Sequence, residues 1–269
     1  NLDLIAITRS KLAQIPLAKR IYSQIKNDTQ YAQMIDLKTL WGSSVNDYFE
    51  FNGNSHSIKI PALFTLEGYK SLDLSQDSVW FKNVGDDSWV MGEALSITRN
   101  DSSQYKKISR EVRELYLTDY ATEWSNLLSS MKVKRFNSMT ELAKGLTTSV
   151  DNAYSPILAV LDTVKANTQL TTELPDAVLD KVEQRRGGTQ LVSLIRDRKD
   201  LTAVDKRFYD IHHLMEQPER GVAPVLTTLQ QVDALRTFIQ EIGLAPDVEQ
   251  RAFDVVKTRY QSNTGNAIT

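Results

Sequence analysis

Between Ser102 and Met131 the sequence runs SSQYKKISREVRELYLTDYATEWSNLLSSM, with an apolar or aromatic residue every three or four positions. Tyr105, Ile108, Val112, Leu115/Tyr116, Tyr120, Trp124, Leu127/Leu128 and Met131 therefore share one helix face. Lys106, Lys107, Arg110, Glu111, Arg113, Glu114 and Glu123 fill the others. Asn100, Asp101 and Ser102 stand upstream as N-cap candidates, because a short side-chain oxygen accepts an orphan backbone N–H. At 1.5 Å per residue the helix is roughly 45 Å long. A chain that must bury such a stripe is built from helices laid along it, and the aromatic residues read as core.

The remaining patterns predict a mainly α protein, a multi-helix bundle in two lobes with one small β-hairpin. Asp3 to Lys26 reads as a first helix, with Pro16 as a kink or a break. Tyr48–Phe51 against Ser57–Ile60 reads as the hairpin, since Asn52-Gly53-Asn54 is turn chemistry and His56 to Ile60 alternates polar and apolar. Pro61 ends that strand, and Thr65 caps a helical turn through Tyr69 and Leu72. Ser138 with Glu141 forms a capping box for a helix through Val150. Ser155-Pro156 opens another, with proline at the first helical position. Two last helices are expected over about 223–242 and 246–260, with Gly243 as a C-cap glycine and Pro246 at the next N1. The predicted boundaries are 1–97 for the helix, hairpin and aromatic-rich segment, and 98–269 for a long-helix domain. Residues 168–201 are expected to form a mobile excursion centred on Arg185–Gly188.

Charge and composition narrow the function. With 32 basic against 34 acidic residues the net charge is −2, which gives no global pull toward nucleic acid or an anionic membrane. No apolar run approaches the ~20 residues that span a bilayer. The chain starts with Asn1 in a helical pattern, as a piece of a longer protein does. Cysteine is absent, so disulfides and thiolate metal sites are excluded. No phosphate-cradling GxxxxGK[ST] occurs, and Gly187-Gly188 lacks the lysine. His56 stands alone, and His212-His213 point about 100° apart on a helix, so a metal site with Asp205 or Asp210 is not expected. Ser103-Gln-Tyr-Lys106 and Ser129-Ser-Met-Lys132 match a bare SxxK without its companion motifs. We expect no enzyme, no cofactor and no metal.

Five motifs occur in a fixed order: Ile60-Pro61-Ala62-Leu63-Phe64-Thr65 with Gly68-Tyr69; Trp89-Val90-Met91-Gly92; Leu115-Tyr116-Leu117-Thr118-Asp119-Tyr120 with Trp124; Ser155-Pro156-Ile157-Leu158; and Val204-Asp205-Lys206-Arg207-Phe208. In this order they resemble the periplasmic region of the IcmF/TssM family, the inner-membrane core component of type VI secretion systems. Leu72 stands where relatives more often carry an aromatic, and Met91 where leucine is usual. The resemblance implies structural roles for Ile60, Pro61, Thr65, Gly68, Tyr69, Trp89, Gly92, Tyr116, Asp119, Tyr120, Trp124, Ser155, Pro156, Arg207 and Phe208. It implies a periplasmic segment of a membrane-anchored parent, packing against other copies and other core components of the secretion membrane complex. An outer-membrane lipoprotein is expected to dock mainly on a module beyond Thr269. The nucleotide-binding-like module of some members belongs to the cytoplasmic part.

Two readings compete with this scaffold. One is an envelope glycan-binding or peptidoglycan-remodelling module using Glu67, Asp86, Asp87 or Glu93 as paired carboxylates. The other is a cytosolic helical adaptor.

Overall fold

Pro16 decides where the first helix starts. Its backbone is extended (φ −52°, ψ 138°), and its carbonyl accepts from the N–H groups of Lys19 at 3.0 Å and Arg20 at 3.2 Å. Proline thus stands just outside α1, Leu17–Asn27, which buries Ala18, Ile21, Tyr22 and Ile25. The computed structural model describes residues 15–51, 58–75, 78–81, 102–151, 153–171 and 201–262. The expected start of this helix at Asp3, the Trp89–Gly92 motif, the 97/98 boundary and the Arg185–Gly188 loop lie outside the described residues.

After α1 come β1 (Met34–Asp36), α2 (Lys38–Trp41), α3 (Ser44–Tyr48), β2 (Phe49–Phe51) and β3 (Lys59–Pro61). A 3-10 turn (Ala62–Phe64), α4 (Leu66–Ser71), α5 (Ser102–Ser129) and β4 (Met131–Val133) follow. The chain continues through α6 (Met139–Val150), α7 (Pro156–Thr168), α8 (Ala203–Arg207) and α9 (Tyr209–Leu214) to α10 (Pro224–Gly243) and α11 (Val248–Ser262). The protein is mainly α, with small two-stranded pairings as its only β structure among the described residues.

The two expected strands are present, but they do not pair with each other. β2 runs antiparallel to β4, placing Phe49 opposite Val133 and Phe51 opposite Met131. β3 pairs with β1; Leu37 donates to the Ile58 carbonyl at 2.8 Å and Ala62 to that of Gln33 at 2.7 Å. A lone hairpin of three-residue strands is marginal in water. Ile58 and Ile60 are buried while Lys59 is exposed, so the alternation correctly marked a half-buried strand, but the expected partner Tyr48–Phe51 pairs elsewhere. Met131, expected to end the long helix, instead begins β4.

A second correction concerns the last two helices. Gly243 is the final residue of α10 and Leu244 continues right-handed (φ −89°, ψ −7°), its N–H donating back to Gln240. No left-handed glycine cap forms there; the glycines with positive φ among the described residues are Gly42 and Gly221. Pro246 precedes α11 without entering it, and Asp247 caps instead, accepting from the Gln250 N–H at 2.9 Å. The Ser138 cap forms as read, with Oγ accepting from Glu141 at 3.1 Å. Glu141 reaches back one residue further than the capping box requires, to the Asn137 N–H at 2.9 Å.

Contacts divide the chain into two units, each gathered from three separate stretches. The first comprises residues 1–35, 59–126 and 167–208. Its core holds Ile21, Ile25, Leu63, Phe64, Val112, Tyr116, Tyr120, Trp124, Val204 and Phe208. The second comprises residues 36–58, 127–166 and 209–269. There α6 packs along α10, and Ala223, Val225 and Leu229 meet Ile157, Leu158, Leu161, Leu214, Met215 and Leu226.

Candidate functional site

Most of the motif residues in the first unit gather around one turn. Pro61 has no N–H to extend β3, and the chain tightens into the Ala62–Phe64 turn. Thr65 closes that turn and starts the next helix with one hydroxyl: its Oγ1 donates to the Ala62 carbonyl at 2.8 Å and accepts from the Gly68 N–H at 3.1 Å. Gly68 then lies against the turn. A Cβ there would overlap the Ala62 carbonyl oxygen and stand 2.9 Å from that of Leu63. The reason for glycine is space, since its φ is not in the left-handed region.

Backbone carbonyls on such a turn need partners when buried. The long helix α5 provides them from one face, at intervals of four residues. Tyr116 donates its hydroxyl to the Leu63 carbonyl at 2.8 Å, and Trp124 its Nε1–H to that of Phe64 at 2.8 Å. Tyr120, between them, donates to the Asn167 carbonyl. The rings themselves pack: Phe64 stacks on Tyr116 at 6.2 Å and meets Tyr120 edge-on at 5.8 Å, and Tyr69 stacks on Tyr116 at 6.4 Å. Burial, then the neighbouring phenols, pushes the hydroxyls of Tyr116 and Tyr120 far above the ordinary tyrosine range. Both stay protonated, as donors to carbonyls must.

The outer side of α5 holds a second set of ties. Asp119 Oδ2 accepts from Tyr22 Oη at 2.9 Å and from Lys26 Nζ at 2.9 Å, joining α1 to α5. The ion pair is half-exposed, so the bond from part-buried Tyr22 holds the helices more firmly than the charge does. Burial first, then that hydrogen bond, pushes the Tyr22 phenol up. Arg207 Nε donates to Ser125 Oγ at 3.3 Å, and Phe208 is buried beyond it. Ile60 is buried in β3. Ser155 and Pro156 belong to the second unit: Ser155 Oγ donates to the Ser149 carbonyl at 2.6 Å and accepts from Leu158 at 3.2 Å, with Pro156 as first helical residue. Trp89 and Gly92 lie outside the described residues.

Two further residues complete the arrangement: Asp205, which the sequence placed in the Val204–Phe208 motif without a role, and Asn167, which it did not single out. Asp205 is buried and accepts five hydrogen bonds. Its Oδ1 takes the N–H groups of Leu170 at 2.8 Å and Thr171 at 3.1 Å. Its Oδ2 takes the Thr171 hydroxyl at 2.8 Å, the Thr202 N–H at 3.0 Å and the Thr202 hydroxyl at 2.6 Å. Thr202-x-x-Asp205 is a capping box, and that spacing was the available signal. Asn167 presents its carbonyl to Tyr120 and its Oδ1 to the Leu66 N–H at 3.1 Å; nothing in the sequence marked it.

The arrangement holds backbone in place; its donors and acceptors face one another. With five donors on a carboxylate that offers about four lone-pair sites, Asp205 has no room for a metal ion. Among the described residues no group of three or more His, Asp or Glu could hold one. His212 is buried, and His213 stacks on Tyr209 at 6.2 Å. Glu67 lies in the first turn of α4, while Asp86, Asp87 and Glu93 lie outside the described residues. The second unit has a groove of about 230 Å³ whose lining includes Tyr48, Phe136, Lys134, Lys144 and Glu141. Phe136 covers Gly145 there, where a Cβ would overlap the end of its ring. No described helix is long and apolar enough to cross a membrane.

Comparison with known proteins adds an independent line. Residues 1–169 match the family model described as IcmF-related: Intracellular multiplication and human macrophage-killing. The Type VI secretion system component TssM1 of Pseudomonas aeruginosa is 24% identical over 263 residues, covering 90% of this chain and 23% of its own length. The chain therefore spans about a quarter of that relative. No solved structure matches.

Proposed function

The chain belongs to the IcmF-related family, and from that premise we propose that it is a structural segment of a type VI secretion membrane complex. Its work is mechanical rather than catalytic: it spaces the inner-membrane base from a lipoprotein-docking module and packs against other copies or core components on the periplasmic side. The observation that carries this reading is the use of the motif residues. Tyr116, Tyr120 and Trp124 put their polar atoms onto backbone carbonyls, and Thr65 and Gly68 fix the turn that carries two of them. Side chains so arranged give a turn and a helix a single relative position, as a spacer needs. The similarity to TssM1 along nearly the whole chain names the machine in which such a spacer fits.

Two measurements test the reading. Deleting residues 1–269 in frame from the parent protein is expected to abolish recovery of the assembled membrane complex; full assembly without them would remove the scaffold role. Calorimetry with the partner outer-membrane lipoprotein is expected to show binding by the parent's whole extracytoplasmic part and none by this chain alone. Tight binding by this chain would move the docking surface into these helices.

A further inference from the structure

The helix α11 is held on one face only. It packs on α10 with Ala252 and Val255 half-buried, while almost every other residue along it is exposed. Among those exposed residues are Phe253 at 61%, Val256 at 66% and Tyr260 at 88%. With Glu249 they fall at spacings of four, three and four, within about 60° of one another around the helix. This stripe is the 3.5-residue repeat by which one helix seats on another, and its centre lies about 100° around the helix from the half-buried Ala252 and Val255. The stripe is apolar over about one turn, Phe253 to Val256, and ends in a carboxylate on one side and a phenol on the other.

We propose that α11 pairs with α11 of a second copy of this chain, antiparallel about a two-fold axis lying between Phe253 and Val256. That register matches the stripe to itself. Phe253 of one copy lies on Val256 of the other, and the Tyr260 hydroxyl donates to the Glu249 carboxylate of the other copy at each end. Charge favours the same direction. Glu249 and Asp254, with Asp247 at the cap, outnumber Arg251 at the start of the helix, and no acidic residue occurs between Val255 and Ser262, where Lys257 flanks the stripe. An antiparallel pair sets the acidic start of each helix beside the basic end of its mate; a parallel pair sets like beside like. The contact is isologous, so it closes at two copies. It rests on the proposed packing of copies within the complex and assigns the surface that does it.

The 269-residue chain is expected to sediment as a concentration-dependent dimer, and Phe253→Asp as a monomer with unchanged circular dichroism. Its lack of cysteine allows a direct test of register. Glu249 and Tyr260 are eleven residues apart, so in this register each lies roughly 16 Å from its own counterpart but beside the other residue. Under mild oxidation a mixture of Glu249→Cys and Tyr260→Cys chains is expected to cross-link at least tenfold faster than either alone. A chain that stays monomeric, a dimer indifferent to Phe253→Asp, or cross-linking of each variant with itself as fast as in the mixture would overturn the pairing. The deletion test of the scaffold role is read separately in assembled complexes, so either idea can fail without the other.

Discussion

Substituting alanine for Gly68 sets two effects of opposite sign against each other. Helix propensity and the lower entropy of the unfolded chain favour alanine by up to about 1 kcal/mol. Space opposes it. The new Cβ would overlap the Ala62 carbonyl oxygen and lie 2.9 Å from that of Leu63, and both atoms are backbone, unable to swing aside. Forcing them apart costs about 1–3 kcal/mol as overpacking. It also strains the bonds those carbonyls accept from Thr65 and Tyr116, at about 1 kcal/mol each. The net expectation is a loss of about 2–4 kcal/mol, lowering the melting temperature by roughly 4–8 °C for a chain of this size. Gly145→Ala is the control. There the obstacle is the end of the Phe136 side chain, which can rotate, so the overlap is relieved and stability stays within about 1 kcal/mol of the parent. Urea unfolding, followed by circular dichroism and tryptophan emission, measures both. A Gly68→Ala protein as stable as the parent, or one no worse than Gly145→Ala, would refute the claim that α4 rests on the turn through this glycine.

Other outcomes follow from the same contacts. Tyr116→Phe removes only the hydroxyl that serves the buried Leu63 carbonyl and should cost about 1–2 kcal/mol in urea unfolding. Asp205→Asn keeps the shape but turns an NH2 toward N–H and hydroxyl donors; a loss of about 3 kcal/mol or more is expected, against little change for an exposed Asp254→Asn. Ser155→Ala removes both a cap and a bond to the Ser149 carbonyl, at about 1–2 kcal/mol. Alkaline pH should unfold the protein. The folded phenols of Tyr22, Tyr116 and Tyr120 are held above the ordinary value of 10.0, so the folded state keeps protons that the unfolded chain releases. Their contribution is full below pH 10 and falls above it. Tyrosinate absorbance should therefore rise together with unfolding, and its rise on an intact fold would contradict the burial of these rings.

How much of this could be read from the sequence depends on what kind of information each feature carries. The α5 stripe was legible because burial on a helix repeats every three to four residues, and Val112, Tyr116, Tyr120 and Trp124 are indeed its most buried members. What those polar atoms bind was not legible, because a carbonyl acceptor such as that of Leu63 or Phe64 leaves no mark in the identity of its own side chain. Alternation showed that Ile58 and Ile60 point inward and could not say that the strand joins residues 34–36, since pairing is a property of two segments. Gly243 with Pro246 imitated a left-handed stop, yet the Leu244 N–H found Gln240 within the right-handed path. Thr202 and Asp205 carried a legible capping spacing. They stand just after the stretch 168–201 that was expected to be a mobile excursion, and a buried carboxylate was not anticipated.

The interleaving of the two units bears on how the chain is born. Neither unit is a continuous run: the first needs Val204, Asp205 and Phe208, and the second needs α10. At roughly 5–20 residues per second, a ribosome takes about 4–16 s to pass from the end of α5 to Phe208, and until then the stripe of α5 has only α1 and the Ala62–Phe64 turn to pack on. Such a protein calls for a holding chaperone while it waits, and a truncation before residue 208 yields an aggregating product rather than a smaller folded one.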